Sequence, residues 1–453
     1  MRVATLPIEL PVGLPVTLVA TSSFIGCRLI PMPAVLPEGE PVPTDGALPE
    51  SAIAELHRDR MRSAAQGPAH DRFGVYVHVP YCATRCGYCD FNTYTPGELG
   101  TGSDIDSYLA AVLAEIEHAA AVLDPSGAAG LPRIDTVFFG GGTPTLLPAA
   151  YLAAIVRKLD SVFGLAPGVE LSTEANPESV DPASLAALVE AGFNRISLGM
   201  QSAAAGVLAT LDRRHTPGRA AQAVAAARAA GFSHVNLDLI YGAPTETDAD
   251  WRASLCAVVA AGVDHVSAYA LTVEPGTQLA RRVNRGLLAP PDGDVLADRY
   301  QVAEQVLGEA GLRWYEISNW ARSPADRCRH NQLYWHGAHW WGLGPGAHSH
   351  VGGVRWWNVK HPAAYAARLS ARTSPAHARE QLTVSQRYTE DVMLRLRLIE
   401  GFPLVELDEH GRQGARRALS DGLLDPDAHD AGHARLTLRG RLLADTVLAA
   451  LIE

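Results

Sequence analysis

Short apolar runs alternate with alanine- and leucine-rich stretches along much of the chain, and this alternation restricts the fold more than any other feature. The apolar runs predict β-strands at residues 75–79, 134–139, 168–173, 194–199, 234–240 and 264–270. Apolar residues at helical spacing mark the stretches between them, at 103–123, 149–164, 180–191, 217–230 and 247–261. The pattern predicts a parallel sheet covered by helices, an α/β fold in the form of a partial (β/α)6 TIM-type barrel.

The chain has a different pattern on each side of this predicted barrel. Residues 1–70 are rich in Pro, Ala and Glu and predict an irregular extension with one short helix at 50–64, and Met32 is an alternative to Met1 as the start. The tail contains TVSQRYTEDVMLRLRLIEG, which predicts an amphipathic helix ended by Gly401. We expect an N-terminal extension at 1–70, followed by a barrel at 71–285 and a barrel-closing region at 286–377. A small, mainly helical, winged-helix-like domain is expected at 378–453.

Charge and hydropathy argue against two kinds of partner. The 453 residues carry a formal net charge of −11, whereas proteins that neutralise nucleic-acid phosphates are usually basic. No apolar run reaches the roughly 18–20 residues that span a bilayer. Residues 5–26 come closest, and three prolines interrupt them. We therefore expect no nucleic-acid partner, no transmembrane segment and a cytoplasmic location.

Three of the six cysteines lie together just after the first predicted strand, and Cys82, Cys86 and Cys89 form the pattern C-x3-C-x2-C. Three thiolates on one loop can hold three irons of a [4Fe–4S] cluster and leave the fourth iron open. S-adenosylmethionine (SAM) chemistry requires such an open iron, which the methionine amine and carboxylate chelate. A structural zinc site is the alternative, but zinc requires a fourth ligand. The sequence has no second cysteine pair, and His78 lies in a predicted strand.

Glycine or polar residues follow the later strands, where the chemistry of such barrels gathers. Gly140–Gly142 let backbone groups approach a ligand and predict a cradle for the amino-acid end of SAM, although most glycine runs are turns. Glu174 and Gln201 follow the third and fourth strands. Glu174 can accept hydrogen bonds from a ribose diol or an amine, or be a solvated loop acid. Arg213 can pair with a carboxylate, or be a surface charge, and the buried Asp238 needs a partner, for which we suggest Arg213.

Histidines and tryptophans are concentrated in CRHNQLYWHGAHWWGLGPGAHS, residues 328–349. An imidazole or a thiolate can ligate haem iron, and aromatic rings can stack on a porphyrin face. We therefore interpret His330, and less directly Cys328, as haem contacts. The alternative is that these side chains only close one end of the barrel.

Taken together, the motifs resemble those of the radical SAM superfamily. More narrowly, they resemble the oxygen-independent coproporphyrinogen III oxidase-like family, with its haem chaperone HemW branch. The resemblance covers roughly residues 73–450 and rests on HVPYC-x3-C-x2-C-DF, GGGTPT, EANPES, NRISLGMQS, NLDLIYGAP and HNQLYW. It implies a partial TIM barrel with a helical C-terminal domain and a cluster on the three cysteines. It also implies SAM contacts at Tyr76, Tyr88, Gly141, Gly142, Thr143, Glu174, Gln201, Arg213 and Asp238.

One position separates the two branches of that family. The oxidase branch carries a further cysteine two positions after the third, where this chain has Phe91. The chaperone branch resembles the chain there and in HNQLYW at 330–335. The resemblance therefore implies a protein that binds haem and delivers it to an acceptor, such as a respiratory enzyme, and that carries a cluster with exchangeable SAM. Coproporphyrinogen oxidation is the alternative, enzymatic activity is left open, and a homodimer is one of the oligomeric states to be tested.

Overall fold

The computed structural model describes residues 39–66, 73–99, 103–213, 216 and 218–452. The expectations for residues 1–38, which include the choice between Met1 and Met32, lie outside the described residues. A helix, α1 (Glu50–Gln66), is present where the sequence predicts one at 50–64.

Six parallel strands and the helices between them form the centre of the fold, as the alternating pattern predicts. The strands are β1 (Phe73–Val79), β2 (Ile134–Gly141), β3 (Leu165–Ala175), β4 (Arg195–Gln201), β5 (His234–Tyr241) and β6 (His265–Ala270). The helices are α2 (Ile105–Leu123), α3 (Ala149–Phe163), α4 (Pro182–Glu190), α5 (Ala205–Thr210), α6 (Arg219–Ala230) and α7 (Asp248–Ala261). Each strand pairs in parallel with the next. The predicted partial barrel is confirmed.

Further strands extend both edges of this sheet. Beyond β6 lie β8 (Asn319–Ala321) and then β7 (Arg313–Glu316), both antiparallel to their neighbours. Beyond β1 lie β9 (His339–Leu343), β10 (His348–Val351), β11 (Val354–Asn358) and β12 (Ala376–Gln381). β9 is parallel to β1 and is not among the strands that the sequence predicts, because it depends on pairing with a strand that is distant in the sequence. In the described part of the chain the sheet runs from β12 to β7 without closing, which makes it an open barrel.

Four helices follow β6 in the region before the tail. Three of them, α8 (Gln278–Asn284), α9 (Gly293–Glu309) and α10 (Arg329–Trp335), pack around this sheet. The fourth, α11 (Pro362–Ser370), lies against α2. The main apolar core fills the space between the sheet and its helices and includes the fully buried Trp251 and Trp320. Capping side chains fix the helix starts: Asp104 accepts a hydrogen bond from Ser107 N at the start of α2.

The C-terminal tail has an apolar cluster of its own, which includes Val392, Phe402 and Val447. Its elements are α12 (Val384–Arg395), β13 (Phe402–Pro403), α13 (Glu409–Ser420), α14 (Pro426–Asp430), β14 (His433–Ala434), α15 (Leu438–Leu442) and α16 (Ala444–Ile452). Three helices and a two-stranded ribbon dominate, and the winged-helix likeness stays a prediction.

The first helix of the tail ends earlier than the sequence predicts. α12 stops at Arg395 rather than at Gly401. The backbone beyond it turns toward the edge strand β7, where Ile399 N donates to Tyr315 O at 2.9 Å. Hydrogen bonds to that strand replace the ones that a longer helix would make. The local sequence pattern does not indicate this, because the strand is distant in the sequence. Among the described helices, none is both long and apolar enough to cross a membrane.

Glu316 of β7 is buried without a cationic partner among its described contacts, so the stability of the chain should depend on its protonation. Burial raises its pKa to about 8, against a lowering by the Ser318 N–H. The folded chain keeps this proton up to about pH 8, whereas the unfolded chain loses it near pH 4.5, so stability is lost as pH rises between these values. We expect Glu316→Gln to remove this loss, about 3 kcal/mol between pH 5.5 and 8.5.

Urea unfolding at the two pH values measures this difference, and Glu117→Gln on the exposed side of α2 is the control. An equal pH dependence in wild type and Glu316→Gln would show that Glu316 is ionised in the folded chain.

Candidate functional site

A cavity of about 280 Å³ opens where β1 to β6 end. Its wall contains the cysteine loop on one side and polar side chains of β3 to β6 on the other. Of the residues that the sequence analysis selected, the following line this one cavity: Cys82, Cys86, Tyr88, Cys89, Gly141, Gly142, Thr143, Glu174, Gln201, Arg213, Asp238 and Cys328. Tyr76 and His330 lie outside it. The carboxyl ends of parallel strands thus bring together residues that are far apart in the sequence.

The cysteine loop is held in place by its backbone. Cys82 N donates to Tyr94 O at 3.0 Å, Tyr94 N donates to Pro80 O at 2.7 Å, and Cys89 N donates to Cys86 O at 3.2 Å. All three thiols are free and partly exposed. Burial raises the pKa of Cys82 and of Cys89, the latter to about 12, and the nearby thiols add to the increase. A bound cation is what would favour their thiolate forms.

The spacing of the three thiols separates the two metal alternatives. In the described part of the chain, the only three ligand atoms of His, Cys, Asp or Glu within 4.8 Å of one another belong to His234, Asp264 and Asp326. At least one pair of the three sulfurs is therefore more than 4.8 Å apart. A single tetrahedral zinc, with Zn–S bonds of about 2.3 Å, would bring them within about 4 Å. Binding of one zinc ion would therefore require the cysteine loop to contract, whereas a cluster of several irons accommodates a wider separation of the sulfurs.

The glycine run at the end of β2 packs against the cysteine loop. A Cβ on Gly142 would lie 2.4 Å from Tyr81 O, and Gly141 has a φ of +104°. The N–H groups are used within the protein: Gly141 N donates to Glu174 Oε2 at 3.0 Å, Gly142 N to Val79 O at 2.8 Å and Thr143 N to Tyr81 O at 2.8 Å. These contacts explain the glycines by close packing of the chain. Their predicted role as a cradle for SAM stays a prediction.

Two buried carboxylic acids, Glu174 of β3 and Asp238 of β5, line the same wall of the cavity and are close enough for their charges to interact. Burial raises the pKa of Glu174 to about 8, and the charge of Asp238 adds to this, while the Gly141 N–H opposes it. Burial also raises the pKa of Asp238. Asp238 accepts hydrogen bonds from Ser197 Oγ at 2.8 Å and from Asn236 Nδ2 at 2.7 Å. The proximity of two buried acids favours a ligand that donates hydrogen bonds or carries positive charge.

Gln201 and Arg213 occupy the wall between these acids and the cysteine loop. Gln201 has a φ of +67°, which is costly for a residue with a Cβ, and its Oε1 is buried without a partner among the described residues. Arg213 donates to Cys86 Sγ at 3.3 Å and to Gly199 O at 3.1 Å. Its charge lowers the pKa of Asp238 but does not cancel the effect of burial. The unpartnered amide oxygen is the kind of buried group that a ligand would satisfy.

The two tyrosines implied by the resemblance have different environments. Tyr88 lines the cavity and packs in an apolar cluster with Leu211 and Ile240. Tyr76 lies behind the cavity wall, where its hydroxyl is 3.1 Å from His78 Nδ1. His78 Nε2 is in turn 2.9 Å from the carbonyl oxygen of Asn92, at the end of the cysteine loop. Tyr76 therefore contacts the loop through His78.

The HNQLYW segment forms α10, which fills the lower end of the barrel. Thr136 Oγ1 lies 2.8 Å from His330 Nδ1, and Tyr334 Oη lies 2.7 Å from His330 Nε2. Burial lowers the pKa of His330 to about 3. Burial also raises the pKa of the Cys328 thiol well above its usual value. Haem ligation by His330 or Cys328 stays a prediction, and for His330 it would require α10 to rearrange, because both ring nitrogens are already engaged.

Several polar side chains of the cavity were missed in the sequence analysis. They lie on the inward face of three strands, where polar residues recur at every second position, as in Arg195, Ser197 and then Asn236, Asp238. Those on β4, β5 and β6 are Arg195, Ser197, Asn236, His265, Ser267 and Tyr269. Polar residues at a spacing of two within apolar strands are the signal that could have identified them.

Known proteins share this fold and these motifs. The family profile described as "Radical SAM superfamily" matches residues 76–255. The oxygen-independent coproporphyrinogen III oxidase HemN of Escherichia coli, a radical SAM enzyme, has a TM-score of 0.73 at 22% identity, over 90% of this chain and 94% of that one. This likeness concerns the fold alone. The fold and the profile define the class, a radical SAM protein, for which a [4Fe–4S] cluster and SAM are implied.

The family follows from closer relatives. The "Heme chaperone HemW" of Mycobacterium tuberculosis is 56% identical over 380 residues, which are 84% of this chain and 95% of the relative. That of Synechocystis is 37% identical over 74% of this chain and 80% of the relative. The mouse "Radical S-adenosyl methionine domain-containing protein 1, mitochondrial" is 38% identical over 66% of each chain. The chain belongs to the HemW family.

Proposed function

We propose that the chain binds haem and transfers it to an acceptor protein, and that it carries a [4Fe–4S] cluster with exchangeable SAM. The observation that carries this proposal is that three free thiols and two buried acids line one cavity, in a chain whose relatives are named heme chaperones. The free thiols fit a reducing compartment, and we accordingly propose the cytoplasm. The acceptor, a respiratory enzyme for example, and a homodimer are further parts of the proposal to be tested.

The residues of the cavity divide into two groups. Cys82, Cys86 and Cys89 would hold the cluster, and Arg213 beside Cys86 offsets part of the thiolate charge. Glu174, Gln201 and Asp238 on the opposite wall would orient SAM, together with the other contacts predicted above. When both are bound, the cluster and SAM supply the one-electron reductive cleavage of a C–S bond of SAM. The protein's part is to position both groups and to exclude water.

Haem is expected to bind beside the space that SAM would fill, at the α10 end of the barrel, where Cys328 lines the cavity and His330 lies just outside it. A volume of about 280 Å³ lies just below the range of about 300–1,000 Å³ that is usual for pockets of drug-sized ligands. SAM would occupy most of it, and α10 closes its lower end. A separate haem site would also allow the chain to bind haem and SAM at the same time.

An anaerobic haem titration with and without SAM tests the proposal. We expect a saturable change of the haem absorbance at one haem per chain, followed by transfer to an added apo-haemoprotein. A double variant, His330→Ala with Cys328→Ser, tests the predicted ligands. Absence of saturable binding in cluster-loaded protein would refute the chaperone function.

Coproporphyrinogen III oxidation is the second candidate, favoured by the complete set of thiols and by the fold shared with HemN. Phe91 stands where the oxidase branch carries a further cysteine, which counts against it. Anaerobic incubation with reductant, SAM and coproporphyrinogen III distinguishes the two. Product well above the level of a Cys86→Ala control would replace the chaperone proposal with an enzymatic one.

Substitution of Glu174 should change the affinity for SAM and its pH dependence. We expect Glu174→Gln to weaken SAM binding about tenfold, because an amide is a poorer acceptor than a carboxylate. With a pKa of about 8, wild-type Glu174 becomes protonated as pH falls from 9 to 6.5, so wild-type affinity should fall over that range. The variant should show a much shallower dependence.

Equilibrium dialysis of SAM on cluster-loaded protein measures both effects. Iron content must be equal in the two proteins, and Glu178→Gln on the cavity rim is the matched control. A Glu174→Gln variant with wild-type affinity at pH 9 would exclude Glu174 from the SAM site.

A further inference from the structure

An arginine-rich surface lies beside the cysteine loop. Residues 278–290 read QLARRVNRGLLAP and contain three arginines without an acidic residue, in a chain with a net charge of −11. Arg281 and Arg285 are exposed, and Arg282 is half-buried. Arg281 lies in the last turn of α8, and Arg285 directly follows the end of that helix. We call Arg281, Arg282 and Arg285 the arginine rim.

Direct contacts join this rim to the loop that carries the thiols. Leu279 N of α8 donates to Gly87 O, between Cys86 and Cys89, at 2.7 Å. Leu279 packs in the same apolar cluster as Tyr88, and both Cys86 and Leu288 pack against that cluster. The exposed arginines therefore lie on, or directly after, a helix that contacts the cysteine loop.

Only one of the three arginines has a described ion pair. Arg282 donates to Thr210 O at 3.1 Å and lies 3.9 Å from Asp212 Oδ2, which fixes the inner side of α8. The exposed Arg281 and Arg285 have no acidic residue within α8 or the turn that follows it. Leu287, 67% exposed, adds an apolar side chain at the same end of the helix. Such a surface attracts an acidic protein through long-range charge and needs only a small contact area.

We propose that the arginine rim is the docking surface for a small acidic protein that carries one electron to the cluster. The inference rests on the proposed function, because it assumes a cluster on Cys82, Cys86 and Cys89. One electron leaves the carrier, which is oxidised, and enters the cluster, which is reduced, and no proton or leaving group moves. The rim serves this transfer because a partner seated on it contacts the helix that touches the cysteine loop.

The test uses the full chain with its cluster reconstituted and a reduced, acidic ferredoxin as the probe. Wild-type reduction, followed anaerobically by loss of cluster absorbance in stopped flow, should slow at least tenfold between 20 and 300 mM salt. Arg281→Glu with Arg285→Glu should slow it at least tenfold at 20 mM salt. Reduction by dithionite should be unchanged. The control, Arg157→Glu with Arg416→Glu, makes the same charge change at exposed sites on α3 and α13 and should keep the wild-type rate.

Three other outcomes would contradict the proposal, and each has a different meaning. A fully loaded Arg281→Glu, Arg285→Glu variant that is reduced within twofold of the wild-type rate would show that the carrier docks elsewhere. A variant that loses haem affinity but keeps its reduction rate would assign the rim to the haem carboxylates instead. A wild-type chain that holds no iron and sulfide would contradict the proposed function itself, and the docking surface with it.

Discussion

Replacing Cys86 by alanine is expected to remove more than about 90% of the iron and acid-labile sulfide that the wild-type chain holds after anaerobic reconstitution. Two thiols cannot retain a cluster that already has one iron without a protein ligand. Cys86 also contributes the sulfur that Arg213 contacts at 3.3 Å, so its loss removes the charged partner of that arginine. Cys82→Ala and Cys89→Ala should have the same effect. Iron and sulfide analysis, with the absorbance near 400 nm, measures it.

The matched control is Cys256→Ala. Cys256 is an exposed cysteine of α7 and does not line the cavity. This variant should keep the full iron content. Equal iron in Cys86→Ala and Cys256→Ala would show that the metal is bound elsewhere. Zinc in place of iron, at one ion per wild-type chain, would support the structural alternative.

The second large effect concerns a buried ion pair at the lower end of the barrel. Arg195 Nε donates to Glu170 Oε2 at 2.9 Å, and the two side chains are 3% and 4% exposed. Burial would raise the pKa of Glu170, but the charge of Arg195 and the N–H groups of His330 and Arg329 outweigh it, and the pKa lies below its usual value. Arg195→Met leaves a buried carboxylate without its cation. We expect a loss of about 3–5 kcal/mol in the free energy of unfolding.

Urea unfolding of the cluster-free chain measures this loss, and two comparisons identify its origin. Adding Glu170→Gln to Arg195→Met should recover a large part of it, because the double variant has no unpaired charge. Arg416→Met, which breaks an exposed pair with Glu409, should change stability far less. A double variant as unstable as the sum of its single changes would show that the ion pair is not what stabilises this end of the barrel.

The same pair explains why α10 is stable inside the barrel. Glu170 accepts hydrogen bonds from His330 N at 3.0 Å and from Arg329 N at 3.2 Å, at the first turn of the helix. A carboxylate at that end of a helix satisfies its free N–H groups. Arg195→Met should therefore also loosen α10. HNQLYW is built into the barrel floor in this conformation, and a role in haem binding would add to that structural role.

Local periodicity was sufficient to predict the six parallel strands and, apart from the short α5, the helices between them. Strands of Val, Ile and Leu alternate with helices whose apolar positions recur at helical spacing, and both patterns are set by residues close in sequence. The end of α12 and the strand β9 could not be predicted in this way. Ile399 leaves the helical path because it bonds to Tyr315, and β9 exists because β1 lies beside it. Both depend on contacts between residues distant in sequence.

The site was predictable to the extent that strand ends converge in a parallel barrel. This rule brought Glu174, Gln201 and Asp238 to one cavity with the thiols. It could not show that the N–H groups of Gly141 and Gly142 are used inside the protein, nor that both nitrogens of His330 are engaged. Those facts depend on partners such as Thr136, 194 residues away from His330. Composition and spacing carry no information on such pairs.

The central claim is that three thiolates hold a cluster whose remaining iron accepts SAM. Electron paramagnetic resonance of the reduced, cluster-loaded chain, recorded before and after addition of SAM, tests it most directly. We predict a signal of one [4Fe–4S] cluster per chain whose g-values change when SAM binds, and a greatly reduced change in Glu174→Gln at the same SAM concentration. A cluster signal that SAM leaves unaltered at saturating concentration would contradict the account.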